Sequence, residues 1–262
     1  MTLLLMFLLG LAPGDSSVPS PPLKEVMALT TKSVERFWNQ FSSVNCTENV
    51  TQEKLGKEGK VVYSHNSTFD YLIFMNLEGD DLSVEESRLM QKEKGKSSNF
   101  PLLLTSGFST MLLVFHPYYQ GSFEYRRLDD ETVNGRRLLR VAFSHVHGTR
   151  STSAVRLRGA DYPLDLVGTA WIDPDTGVIE KIKAGLEAPV TDLNLREFNA
   201  EVEYAPQQFD AGKPEWMPVA ASIDVETAKQ HWRNIHKFTN YRRFEVKSES
   251  SVALKSDPKA PK

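Results

Sequence analysis

Cysteine is nearly absent from this 262-residue chain. Cys46 stands alone, which excludes an intrachain disulfide and any cysteine-based metal cluster; the thiol is either buried or pairs with another molecule. A dominant charge sign is missing too. With 31 basic and 34 acidic side chains the formal charge is -3, so the charge balance predicts neither a nucleic-acid footprint nor a strongly anionic membrane partner. No lysine or arginine precedes Lys24, and the apolar opening Met1–Ala12, with a core of about ten residues, is too short to span a bilayer. Phosphate-cradling glycine loops and dinucleotide fingerprints are likewise missing. Partner choice is left to shape and apolar surface.

What is present begins with residues 1–22, a signal-like segment. Its apolar run and the following Pro13-Gly14-Asp15-Ser16-Ser17 suit a signal peptide lacking the usual basic flank, or else a disordered tail. Export, to the periplasm or as a secreted protein, follows from the first alternative. Residues 23–247 read as one β-rich domain, and 248–262, rich in Lys, Ser and Pro, as a disordered tail.

The stretch Tyr162–Ala184 sets the pattern for the domain. Leu164, Leu166, Ala170 and Ile172 fall on alternate positions, and Asp173-Pro174-Asp175-Thr176-Gly177 supplies a fixed φ and then a positive one, so a β-hairpin is expected. Phe123 to Phe143 reads as another hairpin, with a loop from Asp129 to Gly135. Strands are expected at Thr47–Gln52, Lys60–Leu77, Phe198–Tyr204, Val219–Val225 and, as one or two, Trp232–Val246, with Pro206–Pro214 as a long loop. Leu82–Met90 reads as a returning strand or a helix, and 91–98 as a charged loop.

Two segments break the strand rhythm. In Leu23–Val44, Val26, Leu29, Val34, Phe37, Trp38 and Phe41 recur at three- and four-residue spacing, an amphipathic helix with an aromatic stripe. Asn99–Gln120 contains no charged side chain and reads as a buried helix, serving either as a lid over an apolar cleft or as plain core.

Catalytic patterns are weak. Gly107-Phe108-Ser109-Thr110-Met111 lacks the second glycine of a nucleophile elbow. His145 and His147 would share a strand face, with His116, His231 and His236 as conceivable further metal ligands, but solvated histidines are the simpler expectation. Asp129-Asp130-Glu131 and Asp173 with Asp175 coincide with expected turns. Asn49-Val50-Thr51 and Asn66-Ser67-Thr68 match glycosylation acceptors, which matter only in a eukaryotic secretory route. No catalytic residue, metal ligand or cofactor is assigned, and the chain is not expected to be an enzyme.

An exported chain that opens with an amphipathic helix, continues in long antiparallel strands, interposes an apolar segment and carries the hairpin Trp171-Ile172-Asp173-Pro174-Asp175-Thr176-Gly177-Val178 resembles the bacterial outer-membrane lipoprotein-carrier superfamily, over roughly Leu23–Val246. The resemblance implies an α+β fold, a strongly curved antiparallel half-barrel with helices on its concave side. It also implies a carrier or sensor for an apolar ligand, the acyl chain of a lipid or lipoprotein. The aromatic stripe and the apolar segment then nominate Phe37, Trp38, Phe41, Phe108, Met111 and Phe115 as the cleft lining. The alternative is an envelope protein–protein interaction module whose cleft is filled by its own helix.

Overall fold

The structure is a computed structural model that describes residues 20–78, 81–91, 107–157, 160–209 and 212–244. The signal-like opening, the tip of the Glu78–Asp81 turn, the charged loop from 92, the first part of the uncharged segment with Pro101, and the 248–262 tail lie outside the described residues.

Pro22 precedes helix α1 (Leu23–Phe41), whose Val26, Thr30, Val34, Phe37 and Phe41 are buried at three- and four-residue spacing. Glu25 in the first turn complements the positive end of the helix dipole. The helix stops at Phe41 rather than Val44. Val44 is β-branched and fully buried, and it opens a strand that pairs with Arg243.

The strands form three groups. β1 (Val44–Leu55), β2 (Val61–Glu78) and β3 (Asp81–Met90) are a meander; β4 (Phe123–Val133) and β5 (Arg136–His145) are a hairpin; β8 (Leu166–Ile172), β9 (Ile179–Leu186), β10 (Leu195–Gln207), β11 (Glu215–Thr227) and β12 (His231–Arg243) are a second meander. These ten make one open, curved antiparallel sheet in the order β3-β2-β1-β12-β11-β10-β9-β8-β5-β4. β6 (Ala154–Leu157) and β7 (Ala160–Pro163) pair only with each other, in a small hairpin that the sequence pattern did not announce. Alternation decides which face is which. On β10, Ala200, Val202 and Tyr204 are buried on the concave face while Glu201 and Glu203 point outward.

The Asp173–Gly177 turn forms as expected. Asp173 Oδ1 accepts hydrogen bonds from the backbone nitrogens of Asp175 and Thr176 and from the Thr176 hydroxyl. Gly177 has φ +70°, and a Cβ there would lie 2.4 Å from the Leu29 carbonyl carbon of α1, so the turn seats the helix through backbone contact.

Three further expectations are corrected. Asp129, Asp130 and Glu131 do not make a turn: they lie within β4, where the ladder with β5 skips from Leu128 to Glu131 in a bulge, and Asp130 pairs with Arg127 and Arg137. The turn itself is Asn134-Gly135, both with positive φ. Of the one or two strands expected over Trp232–Val246, one forms, as far as Arg243, held on both sides by β1 and β11. Pro206 belongs to β10, opposite Trp216, which shortens the loop expected to start there. The uncharged segment is not one buried helix. Its described part is a 3-10 helix, Phe108–Phe115, followed by the short helix α2 (Pro117–Gln120), because the left-handed Gly107 and Pro117 interrupt the chain.

Candidate functional site

Sheet order explains why an apolar segment covers the concave face. The chain leaves the sheet at β3, on one edge, and rejoins it at β4, on the other. With ten strands about 4.8 Å apart, the edges are roughly 43 Å apart along the sheet, a distance the connection between β3 and β4 spans. Its described part, Phe108–Phe115, lies across the concave face with all eight residues buried.

This plug and α1 gather the nominated residues into one core. Phe37 and Phe41 sit with ring centroids 4.8 Å apart, and Phe37 meets Tyr204 edge-on at 6.0 Å. Phe108 packs on His236 at 4.3 Å and on Phe238 at 6.2 Å; Phe115 lies against Tyr125 and Phe143. Met111 is buried with them, and Trp38, half-buried, faces His116 at 5.6 Å. The side chains fill the cleft instead of lining an empty one. A gap of about 70 Å³ lies between Val34 and Phe37 of α1, Leu112 of the plug, and Tyr204 and Trp216 of the sheet. A ligand pocket is ordinarily about 300–1,000 Å³.

The plug is also fastened by polar groups, which hydrophobic periodicity could not reveal. Tyr204 donates from its hydroxyl to the Ser109 carbonyl at 3.0 Å, and Tyr125 donates to the Val114 carbonyl. Tyr71 and the Ser109 hydroxyl are 2.7 Å apart. Glu86 on β3 accepts from the Gly107 nitrogen at 2.7 Å and makes a longer 3.5 Å contact with the Ser109 hydroxyl. Burial pushes all three phenols well above their ordinary value, so each stays protonated.

Beside this latch lies a buried charge cluster. The Arg88 Nε and Nη2 reach the two oxygens of Glu48 at 2.6 and 3.1 Å, its Nη1 reaches Glu86 at 2.8 Å, and His236 Nδ1 lies 2.8 Å from Glu48. Burial by itself would raise the Glu48 carboxyl. Hydrogen bonds from His236 and Arg88 outweigh it and hold the group below its ordinary value. A sequence signal existed: Glu48 shares the strand parity of Cys46 and Val50, and Glu86 and Arg88 share that of Leu82, so charges occupy the inward face.

The remaining motifs do not converge. Ser109 Oγ is engaged by Tyr71 and Glu86, with no imidazole among those partners. His145 and His147 both direct Nδ1 at Asp165, at 2.7 and 2.6 Å, and His145 is buried, contrary to the solvated expectation, with the Arg150 carbonyl and the Thr149 hydroxyl at its Nε2. His116, His231 and His236 lie elsewhere, against Trp38, Asp224 and Glu48. Among the described residues no three His, Cys, Asp or Glu side chains could hold a metal, and no helix is long and apolar enough to cross a membrane. The two glycosylation-like motifs face each other across β1 and β2, where Thr68 donates to Asn49 and Thr51 to Asn66 in a side-chain ladder. A wider depression of about 480 Å³ lies on the opposite face, over Gly185 and the Lys183–Glu201 ion pair, and none of the nominated residues borders it.

The chain matches no family model and no curated protein sequence. Solved structures are similar to it. A domain described as an outer membrane lipoprotein-sorting protein from Vibrio parahaemolyticus has 11% identity over 86% of this chain and 95% of that one, with a TM-score of 0.48. A DUF1329 family protein from Desulfovibrio piger has 12% identity over 90% and 95%, with a TM-score of 0.45. The MucA/MucB complex of Pseudomonas aeruginosa has 12% identity over 83% and 99%, with a TM-score of 0.21. At such identities and scores the function has to be argued from the site.

Proposed function

We propose that this chain is a binding protein for an apolar ligand, the acyl chain of a lipid or lipoprotein, acting as a carrier or sensor, and that the plug occupies the ligand's place in the closed state. The observation that carries the reading is the plug itself: an uncharged 3-10 segment, buried over its whole length, laid across the concave face between the sheet and α1. A 3-10 run of this length has poorer hydrogen-bond geometry than an α-helix and holds its place through contacts with its surroundings.

Magnitudes support an exchange. An acyl chain of about 14–16 carbons contributes roughly 11–13 kcal/mol at about 0.8 kcal/mol per buried methylene. Exposing Phe108, Met111, Leu112, Leu113, Val114 and Phe115 costs roughly 9–18 kcal/mol at about 1.5–3 kcal/mol each. The two are comparable, so a ligand can compete with the plug without any catalytic chemistry. Phe37, Trp38, Phe41, Phe108, Met111 and Phe115 would then exchange mutual contacts for contacts with the chain. The apolar opening Met1–Ala12 supports work in the periplasm or as a secreted protein.

Titration with a fluorescent acyl probe tests this. Saturable uptake, displaced by an unlabelled fatty acid, is the expected result; no uptake at any concentration of folded protein would overturn it.

A second reading, a module that binds a partner protein, has its own observation. β3 is an edge strand among the described residues, ten residues long, without bulge, proline or lysine, and Leu89 and Met90 at its end are exposed. The opposite edge, β4, carries a bulge and a run of charged residues. Crosslinking of a partner to β3 by a chain that takes up no acyl probe would favour this alternative.

A further inference from the structure

The polar contacts of the plug say more about the ligand than its apolar contacts do. Around Ser109 the sheet presents Tyr204 as a donor and Glu86 as an acceptor, with Tyr71 between them. In the closed state a peptide segment meets both demands: the Ser109 carbonyl accepts from Tyr204, and the Gly107 N–H and Ser109 hydroxyl donate toward Glu86. Tyr204 and Tyr71 are 4% and 1% exposed, and the Glu86 side chain is 6% exposed and held by Arg88. If the plug withdraws and a plain hydrocarbon enters, the Tyr204 hydroxyl loses its acceptor and Glu86 keeps Arg88 but loses the Gly107 N–H. Buried groups without partners weaken binding markedly, so a hydrocarbon is a poor substitute for the plug.

We propose that the cleft selects an amide-linked acyl chain, whose carbonyl oxygen takes the hydrogen bond of Tyr204 and whose N–H is donated to Glu86, with the hydrocarbon lying where Phe108–Phe115 now lies. This rests on the acyl-binding reading above and adds the head-group chemistry. The linkage carries in one group the acceptor and the donor that the plug supplies from two, the Ser109 carbonyl and the Gly107 N–H, beside an apolar run. An ester supplies the acceptor alone. An ether supplies neither a carbonyl nor a donor. The gap of about 70 Å³ is bordered by Tyr204 together with Val34, Phe37 and Leu112, so free volume of the cleft reaches this tyrosine.

The test is competitive displacement of a fluorescent acyl probe from the full chain by three ligands of equal length: an N-palmitoyl amide, a palmitoyl ester and a hexadecyl ether. The expected order is amide, ester, ether, each step about tenfold, as one satisfied hydrogen bond confers. Tyr204→Phe is expected to collapse the ester–ether step, and Glu86→Gln to shrink the amide–ester step. The ratios are internal to each variant and do not depend on its total stability; if one variant fails to fold, the wild-type order and the other variant still decide. Equal affinity for all three in the wild type overturns the amide assignment while leaving acyl binding intact, whereas binding of none overturns both. An N-palmitoylated dipeptide and N-palmitoylethanolamine, run side by side, separate an acylated protein from a lipid as the source: the tighter of the two identifies it.

Discussion

The hydroxyl of Tyr204 on β10 lies 3.0 Å from the carbonyl oxygen of Ser109, 95 residues earlier in the chain, and both are buried. One hydrogen bond thus joins the sheet's concave face to the plug at the point where Phe37 of α1 also meets the tyrosine ring. Replacing Tyr204 with phenylalanine keeps the ring and leaves the Ser109 carbonyl without this donor. Stability in urea is expected to fall by about 1–2 kcal/mol. An unchanged midpoint would mean that the contact does not fasten the plug.

Gly177 carries the seating of α1. Its φ of +70° disfavours any side chain, and an added Cβ would approach the Leu29 backbone to 2.4 Å. Gly177→Ala is therefore expected to destabilise by more than about 1 kcal/mol, beyond the strain of positive φ alone, and to loosen α1. Hydrogen exchange would show this as faster exchange confined to residues 23–41. Protection equal to the wild type there would contradict the packing described.

The Glu48–Arg88–His236 cluster sets an acid limit. Glu48 has a folded-state pKa below its ordinary 4.5, so its contribution to stability is fully present above that value and is lost as pH falls through the lower folded value. Unfolding measured from pH 7 down should show stability declining below about pH 4.5, with Glu48→Gln flattening the decline. Arg88→Ala, which strands both buried carboxylates, is expected to cost about 3–5 kcal/mol, and Arg88→Ala combined with Glu48→Gln less than the sum.

Cys46 offers a reporter of opening. Burial pushes its thiol up to about 12, more than its hydrogen bond with Tyr241 lowers it, so almost no thiolate exists near neutral pH. A maleimide is expected to label the native chain only as fast as the sheet opens, and fully in denaturant. Rapid stoichiometric labelling of folded protein would contradict the burial of β1.

Much of this architecture was legible in the sequence, and the reasons differ by element. Period-two alternation marked β2, β5, β8 and β10, and Asp-Pro-Asp-Thr-Gly fixed a turn, because these signals are local. The spacing of Val26, Val34, Phe37 and Phe41 marked the buried stripe of α1 for the same reason. The order of strands was not legible, since nothing local says that β12 returns to pair with β1 or that β3 and β4 end on opposite edges. Without that order, the uncharged segment reads as a helix of either lid or core, and the place of Phe108–Phe115 on the concave face stays hidden. The nominated aromatics were brought together because all lie on elements facing the sheet. Tyr71, Tyr204 and Glu86 were missed as site residues because their partners are backbone groups of Gly107 and Ser109 or a serine hydroxyl, which hydrophobic patterning does not register.

The central claim is that the concave face exchanges its plug for an acyl chain, and mass spectrometry of organic extracts addresses it most directly. Protein purified from a host that exports it would be compared with the same chain made in the cytoplasm. The account predicts a stoichiometric acyl-bearing molecule in the exported sample and none in the control. An exported sample that is empty, and that takes up no acyl probe afterwards, would contradict it and turn attention to the β3 edge.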